Sequence, residues 1–162
     1  MVVESSAWRD VVAAVSRQPE TESGGILLGC RHSTGVYVSE FIEVLDRAST
    51  RSSYVRNSAA ATKELESRVR ELPEEALPGY VGEWHTHPER QGPSRTDRNQ
   101  IKQISQHSEG EIALVVIVHH PHTAQWSPVV ICAKSGRTRQ AVIEVQTAGD
   151  PSAGQDKLGG PQ

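Results

Sequence analysis

The chain has 162 residues, 36% of them hydrophobic, and a formal net charge of −3. That length fits one domain with a core of its own, and a pI of about 6.2 gives no general affinity for nucleic acid. No apolar run approaches the roughly 18 residues of a membrane span, and MVVESSAWRD lacks the regions of a signal peptide, so a cytoplasmic chain with no membrane partner is expected.

Trp8, Val11, Val12 and Val15 fall at helical spacing, which predicts a helix over 6–18 that stops before Pro19. GGILLGCRH (24–32), the turn STG and VYVSEFIEVL (36–45) read as a β-hairpin. The Arg- and Ser-rich segment 46–57 reads as loop. A capped helix from Asn57 or Ser58 carries Leu65, Val69 and Leu72 on one face and ends at Pro73. PEEALPG is a linker, YVGEWHTH (80–87) a strand, and a Pro/Gly loop leads to a helix over 95–107. EIALVVIVHH (111–120) is the most apolar strand and is expected at the centre of the sheet. SPVVICAKSG and RTRQAVIEV form a second hairpin, and the composition of 147–162 predicts a disordered tail behind a domain at 1–146. Helices interleaved with hairpins give an α/β class with a mixed central sheet flanked by helices. Cys30 and Cys132 lie in apolar runs and are expected as buried free thiols.

The chemistry concentrates in GEWHTHPERQGPSRTD (82–97). Side chains repeat every two residues along a strand, so His85 and His87 point to one face and can share a metal ion. Pro88 ends the strand and leaves the pair at the edge of the sheet, open to a ligand. Ser94-Arg-Thr-Asp97 starts the next helix, whose first turn faces back toward the strand end. Two imidazoles and a carboxylate make three protein ligands, the number a catalytic zinc keeps while holding its fourth position for water. Each half alone has a structural reading: H-x-H pairs are common near strand ends, and S-x-x-D is also a capping box. Together, on a strand, a loop and a helix start, they favour a metal.

With these elements in place the chain resembles the JAMM (MPN-positive) metallopeptidases. The resemblance rests on E22-S-G-G-I-L-L-G29, H85-T-H-P88 and S94-R-T-D97, in that order, and spans about residues 5–146. The loop from Pro88 to Pro93 is one residue shorter than is usual in the family, and GEWHTHPE is most similar to the prokaryotic JAB branch. The resemblance implies the JAB/MPN (cytidine-deaminase-like) fold, with zinc held by His85, His87 and Asp97. It makes Glu22 the general base and then the general acid to the leaving amine, and Ser94 the group that steadies the oxyanion. Glu20, two residues earlier, is the rival base. It further implies cleavage after the C-terminal Gly of a ubiquitin-like protein or its conjugate. The pathway would include ubiquitin-activating-like and conjugating-like enzymes, as in a bacterial antiphage system. A Gly-Gly tail carries no side chains and suits a narrow groove, with its backbone free to pair with a strand edge. The alternatives are a processing peptidase for a sulfur-carrier protein and a metal-free MPN scaffold. His119, His120 and His122 are expected to end the central strand rather than bind a second metal. Trp84 and Trp126 are open between a groove wall and the core.

Overall fold

Helices are interleaved with strands and hairpins in the computed structural model, which describes residues 1–44, 58–71, 78–89 and 91–147. The elements are β1 (Val2–Glu4), α1 (Ser5–Val15), β2 (Gly24–His32), β3 (Gly35–Glu43), α2 (Ser58–Glu71) and β4 (Gly79–His87). They continue with α3 (Arg95–Gln106), β5 (Ile112–His120), β6 (Gln125–Lys134), β7 (Arg137–Ala141) and β8 (Glu144–Gln146). The expected loop 46–57, the helix end at Leu72 and Pro73, most of the linker and the tail past 147 lie outside the described residues.

The strands form one mixed sheet in the order β7-β6-β5-β4-β2-β3-β1-β8. Pairings are antiparallel except β4 with β5 and β1 with both β3 and β8. β5 is an interior strand, as its composition predicts. The single strand expected over 137–145 is broken at 142–143. Its second half becomes β8, at the opposite end of the strand order from β7. The break is held by Met1, whose terminal ammonium donates to the Val142 carbonyl at 3.2 Å and whose own carbonyl accepts from Glu144 N–H at 2.9 Å. Only two residues join the two end strands of the order, so the sheet curls to bring its ends near each other. β1 and β8 have three residues each, too few for an alternating pattern to be read in advance. The first helix also ends early, at Val15, where the Ser16 hydroxyl donates back to the Val12 carbonyl at 2.7 Å.

Both faces of the sheet are covered. Ala7, Val11 and Val15 of α1 pack with Leu27, Val38, Ala113, Val115 and Ile117 on one face. On the other, Ile101 of α3 meets Ile112, Leu114, Val116 and Val118, while Ala61 of α2 meets Ile26, Leu28 and Ile42. β5 therefore feeds alternate residues into two cores, which is why its sequence is apolar without alternation. Trp84 belongs to the α1-side core, 1% exposed, with its indole N–H donated to the Ile42 carbonyl. Cys132 is buried, whereas Cys30 is only partly so, and the two are not joined in a disulfide.

One irregularity places the site. β2 pairs Leu27 with Gly82 but Leu28 with Tyr80, so Val81 is an extra residue in β4. Val81 and Trp84 consequently both join the α1-side core although three positions separate them. Past the bulge, Glu83, His85 and His87 face α3; without it they would face α1. Gly82 sits at the bend with φ +156°, and a Cβ there would lie 1.9 Å from the Ala113 carbonyl oxygen.

Candidate metal centre

β4 delivers the histidines and α3 delivers the carboxylate. The His85 and His87 Nε2 atoms stand 3.2 Å apart. His85 Nε2 lies 3.5 Å from Asp97 Oδ1, and His87 Nε2 lies 3.8 Å from Asp97 Oδ2. One donor atom from each of the three falls within 4.8 Å of the others. A tetrahedral zinc with ligands at about 2.0–2.1 Å sets its donors roughly 3.3–3.4 Å apart, so the shorter edges already match. The side chains are 12–15% exposed, sheltered yet open to solvent. These three residues can hold a metal ion.

Their orientation has local causes. The Gln91 carbonyl lies 2.8 Å from His87 Nδ1, which fixes the tautomer with its proton there and leaves the Nε2 lone pair for a ligand. Asp97 is the third residue of α3 and completes a capping box. Ser94 N–H donates to Asp97 Oδ2 at 2.6 Å, and Asp97 N–H donates to Ser94 Oγ at 3.1 Å. The structural and chemical readings of S-x-x-D are thus compatible, because the cap uses Ser94 Oγ as an acceptor and leaves its proton for another partner. Burial alone would raise the Asp97 carboxyl, but the hydrogen bond and charge of His85 and the two bonds with Ser94 hold it well below the usual carboxylate range.

Glu22 lies two residues ahead of β2, the strand next door. Thr86, fully buried between the two histidines, donates its N–H to the Ser23 carbonyl at 2.7 Å, and its hydroxyl accepts from Ser23 N–H at 2.8 Å. Gly24 pairs with His85, and the Ser23–Thr86 bonds carry the contact between the two segments one residue further toward Glu22. Gly24 adds no side chain beside His85. Glu22 is partly buried at this position, whereas Glu20 is exposed in the turn before it.

Several features are new relative to the sequence. The histidines lie at the end of an interior strand rather than at a sheet edge, because β2 and β5 flank β4 on both sides. β4 thus has no open edge for a substrate backbone. Beyond it, a cavity of about 490 Å³ is lined by Glu89, His120, Pro121, His122, Trp126 and Ser127, among others. His87 pairs with Val118, so this cavity opens at the same end of the sheet as the metal trio. His119 and His120 end β5, where His120 bonds the Ser127 hydroxyl at 2.6 Å and His119 stacks on Trp126. Among the described residues, His85, His87 and Asp97 are the one group arranged to hold a metal. Thr86, Gln91 and Glu83 were not singled out from the sequence, although counting back by two from His85 reaches Glu83.

Fold and site together define a JAB/MPN domain. The profile described as prokaryotic homologs of the JAB domain matches residues 4–132, and the chain belongs to that family. The family includes metallopeptidases as well as non-catalytic members. No curated protein matches the chain. Among solved structures, it is similar to the solution structure of protein DSY2949 from Desulfitobacterium hafniense, with a TM-score of 0.64 and 14% identity. That match covers 90% of this chain and 92% of the other and bears on the fold alone. Among the described residues, no helix is long and apolar enough to cross a membrane.

Proposed function

We propose that this domain is a zinc-dependent peptidase that cuts after the C-terminal Gly of a ubiquitin-like protein or its isopeptide conjugate. The observation that carries the reading is the three-donor set of His85, His87 and Asp97, and Ser23, the residue next to Glu22, is bonded to Thr86 between the two histidines. Zinc bound there would polarise the scissile carbonyl and lower the pKa of a water toward about 7. Glu22 takes the proton of the attacking water on its carboxylate and returns it to the leaving amine. Ser94, its oxygen engaged by Asp97 N–H, turns its hydroxyl proton to the developing oxyanion. The solvent-facing side of the trio accepts a Gly-Gly backbone, while the 490 Å³ cavity at the same end of the sheet takes the residues flanking the cut. The intact ligand set favours an enzyme over a metal-free scaffold. Partners of this kind, and a cytoplasmic conjugation or antiphage setting, belong to the same proposal.

The test is cleavage of ubiquitin-like–Gly-Gly–reporter fusions by purified protein, with and without chelator and re-added zinc, alongside His85→Ala and Asp97→Ala. Cleavage should need zinc, and both variants should lose the metal and the activity. Undiminished cleavage in a verified metal-free sample would exclude the metallopeptidase reading. Zinc-loaded protein that cuts sulfur-carrier fusions alone would move the substrate to the alternative pathway.

A further inference from the structure

Glu83 is 6% exposed and stands in an apolar row, with Ile26 directly opposite on β2 and Leu114 on β5. Directly paired residues share a face, so an aliphatic side chain would suit this position, and burying a carboxylate there is costly. Its oxygens are engaged on both sides. Oε1 accepts from the Tyr80 hydroxyl at 3.3 Å, and Oε2 accepts from Gln100 Nε2 at 3.2 Å. Gln100 is three residues after Asp97, on the same side of α3. Glu83 is two residues before His85, on the same side of β4. The helix therefore meets the strand at two polar points, Asp97 with the histidines and Gln100 with Glu83. Ile101 packs in the core between helix and sheet. The far end of α3 is anchored separately, where Ser105 Oγ accepts from Gly136 N–H at 2.9 Å. The Gln100–Glu83 contact lies one turn from Asp97, so it fixes the ligand-bearing end of the helix and with it the direction of the Asp97 carboxylate.

We infer that Glu83 is a positioning residue that sets the third ligand of the metal centre: through Gln100 it docks α3 so that Asp97 closes on His85 and His87. The inference rests on the reading of those three residues as metal ligands. It also accounts for the carboxylate in an apolar row, since the stability lost by burying it is exchanged for geometry at the site.

The test measures zinc affinity by competition with a chromophoric chelator, together with the absorption bands of the cobalt-substituted protein. The proteins are the parent, Glu83→Leu, Glu83→Gln, Gln100→Leu and the Glu83→Leu/Gln100→Leu double variant. Glu83→Leu and Gln100→Leu should each weaken zinc binding by about 10–100-fold, the range for residues that orient ligands, and should shift the cobalt bands. Glu83→Gln should stay within a few-fold of the parent, because Gln100 can turn its amide to keep the bond. The double variant should be no weaker than the worse single one, since both cut one link. Gln100 is exposed, so its variant keeps the experiment readable if Glu83→Leu does not fold. Parent affinity and unchanged cobalt bands in Gln100→Leu, or losses that add in the double variant, would overturn the positioning role. A parent that takes up no zinc would instead overturn the metal reading itself, so the two failures are distinguishable.

Discussion

Gly82→Ala tests whether the β4 bulge sets the direction of the histidines. The added Cβ would lie 1.9 Å from the Ala113 carbonyl oxygen and within 3 Å of two further backbone atoms of that residue. Backbone in the middle of a sheet cannot rotate away as a side chain can, so β4 and β5 must separate by more than an ångström. Overpacking of this kind costs about 1–3 kcal/mol, and a non-Gly residue held in a sparsely populated backbone region costs about 1–3 kcal/mol more. The sum, roughly 2–6 kcal/mol, is a large part of the 5–15 kcal/mol of a typical domain. At about 2–4 °C per kcal/mol for a domain of this size, the melting temperature should fall by roughly 4–24 °C. Gly79→Ala is the matched control, with nothing within 4 Å of its added Cβ, and should stay within about 0.5 kcal/mol of the parent. Calorimetry and urea unfolding give both values, and zinc binding by whatever Gly82→Ala protein folds reports on the site. A Gly82→Ala protein that melts with the Gly79→Ala control and binds zinc like the parent would refute the reasoning, because the strand would then reach the same phase without its bend.

Glu22→Gln keeps size and hydrogen bonding but removes the proton acceptor, so zinc and fold should persist while the turnover rate falls by orders of magnitude; a dead Glu20→Gln beside an active Glu22→Gln would reverse the assignment. Ser94→Ala should lose a cap worth about 1 kcal/mol, or roughly 2–4 °C. It should also lose a donor whose removal costs about 100- to 1,000-fold in kcat; a melting shift with unchanged kcat would leave Ser94 as a cap alone. In the metal-free protein, the depressed Asp97 carboxyl contributes stability that is present above the ordinary carboxylate value near 3.9 and lost as pH falls through the lower folded value. Asp97→Asn should therefore flatten the acid limb of the stability–pH curve below about pH 4, and an unchanged limb in urea titrations would show that Asp97 does not carry it.

The site was legible where chemistry and local period coincide. His85 and His87 share a face because strands repeat every two residues, and Asp97 could be placed because Ser94 marks a helix start. The apolar run at 111–120 and the helix before Pro19 were legible for the same local reason. Which face the histidines take was not, because it depends on the pairing of Leu27 and Leu28 with a strand some fifty residues away. β8 was hidden for a similar cause: Glu144 to Gln146 continue a hairpin pattern, and only Met1 and β1, at the far end of the chain, draw them to the other edge. Glu83 was passed over because its partners, the Tyr80 hydroxyl and the Gln100 amide, are brought to it only by the folded strand and helix.

The extra residue at Val81 also divides β4 into two stretches that answer to different constraints. Ahead of it, Tyr80 obeys the packing of the sheet; behind it, Glu83, His85 and His87 obey the helix above them. A single-residue insertion or deletion behind the bulge would hand the imidazoles to the α1 side, which is an apolar core. The same change ahead of it could be absorbed by shifting the bulge, with the histidine-bearing half undisturbed. The strand thus works as a coupling with one slipping joint, and length variation in relatives of this chain should be found upstream of Gly82 and be absent between Gly82 and His87.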